Sequence, residues 1–416
     1  MTERAVAPLD RAAAVAHLRA TACAPDGVAS PRLGIEQEWH TYCLTDPARH
    51  LEPAEVLAAA LAPGPLPRGS AVTVEPGGQV ELATPPCDPW WDALDVLRVD
   101  GAALRDRLRA VGIATVAAGV DPFREPARTL TQPRYDAMQA YFDRDGPHGR
   151  RMMSSCAAIQ LNVDCGDART QARRWRVAHR VGPALAAAFA CSPDPVSRSE
   201  RLANWHAVDP CRTSPVHASG DVLRDWSTYV LAARVMLVHE ADGSCRLVDG
   251  HRTFASWLDE PLAGRAPTAA DLDYHCTTLF PPVRPRGWFE LRWLDALPAG
   301  VAEVASAAVT ALVVDDEAGL VAEEACAGLD DQGAWRTAAA LGPAHPRLAA
   351  AATVALEEAA GALDRAGAPA RWAGAVAEAA ERWPARGRCP ADDLEARLAA
   401  GADAAALADP AEEVHP

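Results

Sequence analysis

At 416 residues, with 49% hydrophobic and 23% charged side chains, the chain has the composition of a soluble globular protein long enough for a large core. A formal net charge of -16 excludes nucleic acid as a default partner and does not favour an anionic membrane surface. The sequence contains no Lys, so every strong base is Arg, which excludes P-loop phosphate binding and Schiff-base chemistry.

The N-terminal stretch MTERAVAPLDRAAAVAHLRA mixes charges into its apolar residues, unlike a signal peptide, and no apolar run is long enough to span a bilayer. Eleven cysteines, odd in number and without a CxxC pair, predict free thiols in a reducing cytoplasm. Residues 8–23 and 52–63 predict Ala/Leu-rich helices. Between them, 34-GIEQEWH-40 predicts a strand with Glu36 and Glu38 on one side, because side chains alternate along a strand. In 72-VTVEPGGQVELATPP-86, Glu75 and Glu81 are again an even number apart, and Gly77 and Gly78 allow a tight turn or a bulge between them. Residues 88–112 carry apolar side chains at helical spacing and end on Gly112, a C-cap. A buried strand is predicted over 113–119. In 159-IQLNVD-164, Gln160, Asn162 and Asp164 alternate with Ile159, Leu161 and Val163. Helices follow at 170–190 and 221–239. In 288-WFELRWLD-295, Glu290 and Arg292 alternate with Phe289, Leu291 and Trp293. Residues 299–365 and 366–402 predict Ala-rich helix with Gly/Pro breaks near 342–346 and 366–369, then a frayed tail. The organisation is an α+β catalytic region over 1–300, with a helical part over 301–416 packed on it.

Four strands thus share an apolar side and a polar side. One such strand alone reads as a solvated face. Together they gather five Glu with Gln, Asn and one Arg, and no Lys to neutralise the cluster. Carboxylates on one concave face repel each other unless a cation lies among them. All-oxygen ligation points to a hard cation, Mg2+ or Mn2+, and no HExxH or paired Cys/His spacing points to zinc. Metal without a P-loop suggests a nucleotide bound through its metals. Arg198, Arg201 and Arg212 in one motif, and Arg284, Arg286 and Arg292 in another, could then read phosphate or carboxylate in a bidentate way. Arg198 and Arg286 fit solvated charges better than ligand contacts, whereas Arg292 fits that reading less well because it shares its strand face with Glu290.

GIEQEW, TVEPGGQVELATPP, 133-PRYDAMQAYF-142, 152-MMSSCAAIQLNVD-164, SERLANWHAVDPCRTSP and 274-YHCTTLFPPVRPRGWFELRWLD-295 occur in unbroken order over residues 30–300. In this the chain resembles the glutamate–cysteine ligases, in the branch shared by plants and by actinobacteria that make ergothioneine. The resemblance implies a glutamine-synthetase-like fold with a curved antiparallel sheet forming a funnel. It also implies ATP- and Mg2+-dependent joining of glutamate to cysteine through a γ-glutamyl phosphate. Carried over, Glu36, Glu38, Glu75, Glu81, Gln160 and Glu290 become ligands of two or three Mg2+ ions. Arg292, Glu36 and Glu290 become the catalytic set. Arg292, Arg284, Thr277 and Thr278 would meet ATP. Arg201 would hold the α-carboxylate of glutamate, with Asn162, Arg134, Tyr135 and Trp205 in the substrate pocket. Trp205 fits a core Trp equally well, and His275 fits a structural hydrogen-bonder better than an acid/base group. Two departures from the family pattern, Cys191 for Asn and Cys276 for Leu, fit small buried residues and touch no expected metal ligand. The expected partners are small molecules, with no nucleic acid and no membrane, and the chain is expected to be a monomer or weak homodimer. The open alternatives are a different amine acceptor, a two-metal hydrolase and a non-catalytic binding homologue.

Overall fold

A computed structural model describes residues 8–23, 30–240, 242–262, 264–329 and 331–408. The strands are β1 (Leu33–Cys43), β2 (Ala71–Val74), β3 (Val80–Ala83), β4 (Ile113–Val116), β5 (Ala158–Asp164), β6 (Leu237–His239), β7 (Cys245–Leu247), β8 (Val283–Pro285) and β9 (Trp288–Asp295). Seven of them form one antiparallel sheet in the order β2-β3-β1-β5-β9-β8. The long β1 pairs with β3 through Glu36–Trp39, then with β4 through His40–Cys43. Pro285 lies in the edge strand β8, where a missing N–H costs no ladder bond. β6 and β7 form a separate hairpin.

The expected alternation holds in β1, β5 and β9. Ile35, Trp39, Ile159, Leu161, Val163, Phe289, Leu291 and Trp293 are buried in the main core. Helices Asp92–Ala110, Gln171–Arg180, Gly182–Ala188 and Val301–Val314 contribute to that same core. Val301–Val314 is buried almost all round, as its continuous Ala/Val composition requires. The helices after residue 300 therefore close the core of the sheet region.

Glu75 and Glu81 do not lie on one strand. The chain reverses between them, with Gly78 at φ +87° and Glu75 N–H donating to Gln79 O at 2.8 Å. The even spacing is therefore not what brings the two together; the hairpin is. Three helical expectations are also corrected. The 170–190 segment is two helices, because Pro183 cannot continue the first but can open the second. The 221–239 segment is helical only over Val222–Ala232 and then enters β6. The Ala-rich region has additional breaks at Asp315, after Ala325 and after Arg382. Asp315 is extended, and its side chain accepts from Ala318 N at 2.9 Å, so it caps a new helix. The frayed tail is expected over 408–416; Ala408 ends the helix Ala404–Ala408, and 409–416 lie outside the described residues.

Candidate active site

The polar sides of β1, β3, β5 and β9 lie together. In register, Glu38 faces Glu81, Glu36 faces Gln160 and Asn162 faces Glu290. Asn162 Nδ2 donates to Glu36 Oε1 at 3.0 Å, and Gln160 Nε2 to Glu38 Oε1 at 3.2 Å. Ala158 N donates to Glu38 Oε2 at 2.9 Å, and Thr73 Oγ1 to Glu81 Oε1 at 2.7 Å. The β5–β9 register shifts so that Gln160 opposes both Arg292 and Trp293. That bulge re-aims Arg292, whose guanidinium donates to Gln160 Oε1 and lies 3.2 Å from Glu290 Oε2.

The carboxylates fall into two electrostatic groups. Burial, and then the charges of Glu81 and Glu290, push Glu36 up to about 7. Burial and Glu75 do the same to Glu81. Glu38 rises through burial and its acidic neighbours Glu75 and Glu81, and Glu75 rises mainly through burial. Glu290 behaves oppositely: burial disfavours its charge, but Arg284 and Arg292 outweigh it and hold the carboxyl well below the usual range. Arg284 grips it at 2.6 and 3.1 Å, and Arg286 adds a contact at 3.1 Å. Glu290 is neutralised by protein, whereas Glu36, Glu38, Glu75 and Glu81 share a charge the surrounding arginines do not cancel.

A cavity of about 190 Å3 opens at the Arg292 end of this face. Glu38, Glu75, Gln160, Arg292, Arg201, Trp205, Arg134 and Tyr135 line it, together with Met138, Met152, Met153, Cys156, Gln79 and Phe280. Arg201 and Trp205 come from the helix Glu200–Val208, one turn apart on one face. Ser199 caps that helix, accepting from Leu202 N at 3.2 Å. Arg201 is 2% exposed. Its Nη2 donates to Arg292 O at 2.8 Å, and its Nη1 lies 3.7 Å from Asp295. Its Nε and Nη1 have no hydrogen-bond partner among the described residues, and neither does Arg292 Nε. Buried guanidinium donors without acceptors at a cavity wall are sites for an anion. Trp205 donates to Phe280 O at 2.8 Å, and the Arg201 guanidinium lies 5.2 Å from its ring centre.

Other expected residues lie elsewhere. Glu36, Glu81, Glu290 and Asn162 continue the polar face beyond the cavity. Arg134 meets Thr277, donating to its Oγ1 at 2.8 Å and to its carbonyl at 2.9 Å. Thr278 is buried, donates to His275 O and accepts from Arg212, and Arg284 is held by Glu290 and Leu279 O. Neither lines the cavity. His275 bonds Val230 O at 3.1 Å, and burial with the nearby Arg212 pushes it down to about 3. The cavity residues missed in the sequence, Met138, Met152, Met153 and Gln79, stood inside quoted motifs but carried no charge to draw notice. Asp295 was also missed; it accepts from Cys191 N, Ser192 Oγ and Ser199 Oγ at 2.8–2.9 Å behind Arg201. All eleven cysteines are free, and burial pushes Cys156 up to about 12.

Among the described residues, no three His, Cys, Asp or Glu side chains converge closely enough to hold a metal by themselves. Mg2+ does not require that. It keeps several waters and takes one or two carboxylates plus substrate phosphates. One buried and three half-buried carboxylates, which raise one another's proton affinity and keep acceptor capacity, fit such an ion.

The model of glutamate–cysteine ligase family 2 (GCS2) matches residues 32–413. The chain belongs to this family. The glutamate–cysteine ligase EgtA of Mycobacterium tuberculosis is 39% identical over 406 residues, covering 95% of this chain and 92% of its own. The EgtA of Mycolicibacterium smegmatis is 38% identical, covering 90% and 89%. A chloroplastic glutamate–cysteine ligase of Brassica juncea is 28% identical over 239 residues, 55% of this chain and 46% of its own. Among solved structures, the Francisella tularensis glutamate–cysteine ligase in complex with AMP superposes with a TM-score of 0.53 at 13% identity, covering 91% and 87%. At that identity the likeness is one of fold, and it bears out the expected α+β ligase architecture. No helix among the described residues is long and apolar enough to cross a membrane.

Proposed function

We propose that the chain joins the γ-carboxyl of L-glutamate to the amine of L-cysteine, consuming ATP and forming γ-glutamylcysteine, as expected for ergothioneine formation. The observation that carries this is Arg201: a buried guanidinium whose Nε makes no hydrogen bond and whose Nη1 is held only by the 3.7 Å ion pair to Asp295, at a cavity whose other wall is the carboxylate face. Arg201 binds the α-carboxylate of glutamate, which directs the γ-carboxylate toward Arg292. A γ-carboxylate oxygen attacks the γ-phosphorus of ATP and ADP leaves. The cysteine amine then attacks the acyl carbon, phosphate departs with that oxygen, and the amine loses a proton. Arg292, between Gln160 and Glu290, offers its free Nε–H to the phosphoryl oxygens as charge shifts toward them. Glu36, Glu38, Glu75 and Glu81 are the residues that would hold Mg2+, which neutralises charge on the phosphates when bound. Glu290 joins them only by giving up an arginine, and Gln160 is held between Glu38 and Arg292.

The acceptor pocket is consistent with cysteine. Met138, Met152, Met153, Cys156 and Phe280 form an apolar, sulfur-rich wall with no charged group on it, which suits a small neutral side chain. The reaction needs only small-molecule partners, and we assign a cytoplasmic enzyme acting as a monomer or weak homodimer. The test is ADP release from Mg-ATP with glutamate and each of a panel of amines, with product mass read out. Cysteine-dependent release with the γ-glutamylcysteine mass supports the reading. Release dependent on another amine moves the acceptor, and no nucleotide turnover in any combination overturns the ligase assignment.

A further inference from the structure

Arg212 stood among the arginines that could read a phosphate or carboxylate, yet the structure leaves it no donor for one. Its Nε donates to Asp209 Oδ2 at 2.8 Å. Its Nη1 donates to Thr278 O at 3.0 Å and to Thr278 Oγ1 at 3.2 Å, and its Nη2 to Tyr141 Oη at 3.1 Å and to Arg234 O at 2.9 Å. These contacts occupy every nitrogen of the guanidinium fork. The Arg212 and Asp209 side chains are fully buried, and neither they nor Tyr141 line the cavity. Burial disfavours the Asp209 charge, but Arg212 and Arg234 outweigh it and hold the carboxyl well below the usual range. A saturated, charged pair of this kind holds protein rather than ligand.

What it holds is the back of the apolar wall. Met138, Met152, Met153, Trp205 and Phe280 belong to a small apolar cluster separate from the main core. Apolar contact has no direction, and methionine bends to fill whatever gap it meets, so such a wall does not fix its own shape. Directional bonds have to do that, and they converge on the Asp209–Arg212 pair. Tyr141 lies one turn past Met138 on the helix Pro133–Phe142, and its hydroxyl donates to Asp209 Oδ2 at 2.9 Å while accepting from Arg212. Phe280 N donates to Arg212 O at 2.7 Å, and Trp205 Nε1 donates to Phe280 O. Asp209 itself directly follows the helix Glu200–Val208 that carries Trp205. Three separate segments of the wall thus meet at one buried ion pair outside the cavity.

We propose that Arg212, Asp209 and Tyr141 are positioning residues for the amine acceptor: they hold Met138, Trp205 and Phe280 at one spacing and so set which side chain the wall admits. The proposal rests on the ligase reading above. None of the three touches a substrate. They act by keeping a pliable, methionine-rich surface in a single arrangement, which a buried and fully satisfied polar network does.

Steady-state kinetics of the full chain, with each substrate varied in turn, test this. Tyr141→Phe is the cleanest cut. It leaves Asp209 with both arginines and Arg212 Nη2 with Arg234 O, and it releases only the helix that carries Met138. KM for cysteine is expected to rise about tenfold, the effect of losing one hydrogen bond to a charged group. KM for glutamate and for Mg-ATP should stay at wild-type values. The kcat/KM preference for cysteine over methionine, a longer neutral side chain, should fall, because a loosened wall excludes bulk less well. Thr278→Val removes an Arg212 contact on the Phe280 side and should show the same acceptor-selective shift. Met138→Ala should raise KM for cysteine by itself, and Tyr141→Phe should add little in that background, since the tie acts through the wall. Unchanged KM and preference in Tyr141→Phe, a rise in all three KM values together, or full additivity with Met138→Ala overturns the positioning role and leaves the ligase reading standing. A wild-type chain with no amine-dependent nucleotide turnover overturns both.

Discussion

Removing one charge from the carboxylate face should stabilise the metal-free protein at neutral and higher pH. Glu81 is the cleanest place to do it. It lies directly opposite Glu38, is raised from 4.5 to about 7 by burial and Glu75, and contacts Thr73 through an oxygen that Gln also possesses. That displacement corresponds to about 3 kcal/mol at 1.36 kcal/mol per pH unit, and partial solvent screening brings it to about 2 kcal/mol. The sign follows from linkage. A carboxyl with a folded pKa above its unfolded one favours folding below pH 4.5, and that advantage is lost as pH rises through about 7. Glu81→Gln should therefore match wild type near pH 4.5 and exceed it at pH 8 by about 2 kcal/mol, or about 2–4 °C in a chain this long. Mg2+ should stabilise wild type more at pH 8 than at pH 5, where protons compete, by about 2.7 kcal/mol at a hundredfold excess over Kd. The variant should lose part of that gain. Thermal unfolding in EDTA and in Mg2+ across pH measures each quantity. A variant less stable than wild type at pH 8, with a Mg2+ effect independent of pH, would refute mutual repulsion as the character of this face.

Arg201→Ala should raise KM for glutamate by roughly a hundredfold or more, since two charge-assisted hydrogen bonds are worth about 1.5–3 kcal/mol each. It should also lower stability, because Asp295 stays buried without its cation; steady-state kinetics well below the unfolding temperature separate the two effects. Arg292→Ala should act on kcat, by about a hundredfold or more, with KM for cysteine little changed, as expected for a group that stabilises developing charge. Gly77→Ala would put a Cβ 2.1 Å from Ser154 O. Urea unfolding should show a loss of about 1–3 kcal/mol, and turnover should fall further because the hairpin carries Glu75. Arg134→Ala should raise KM values at the cavity mouth by cutting both bonds to Thr277, with little change in unfolding midpoint.

Where a strand alternated cleanly, its two faces could be read from the sequence, and Glu36, Glu38, Asn162 and Glu290 lie where parity puts them. Parity could not show that Gln160 opposes two residues of β9, so the bulge that aims Arg292 was invisible. Nor could it handle Glu75 and Glu81, which meet through a hairpin rather than along one strand. The helical breaks at Asp315 and Pro183 had local signals, an Asp before an acidic first turn and a Pro after Gly, which the Ala-rich composition masked. Arg284 and Arg292 share a motif and a residue type, yet one is held by Glu290 and Leu279 while the other reaches the cavity. That difference depends on which strand each occupies, β8 or β9, and the short edge strand had no pattern of its own. Asp295 escaped notice because its role, holding Arg201 from behind, exists only once a distant helix packs against β9.

The central claim is that glutamate is activated as an acyl phosphate on this face. The most direct measurement supplies glutamate with heavy oxygen in its γ-carboxylate and follows the label by mass spectrometry during turnover with Mg-ATP and cysteine. The account predicts one labelled oxygen in each phosphate released, with the other retained in the new amide. Phosphate carrying solvent oxygen instead, with both labels left in glutamate, would mean that water is the nucleophile and would contradict the account.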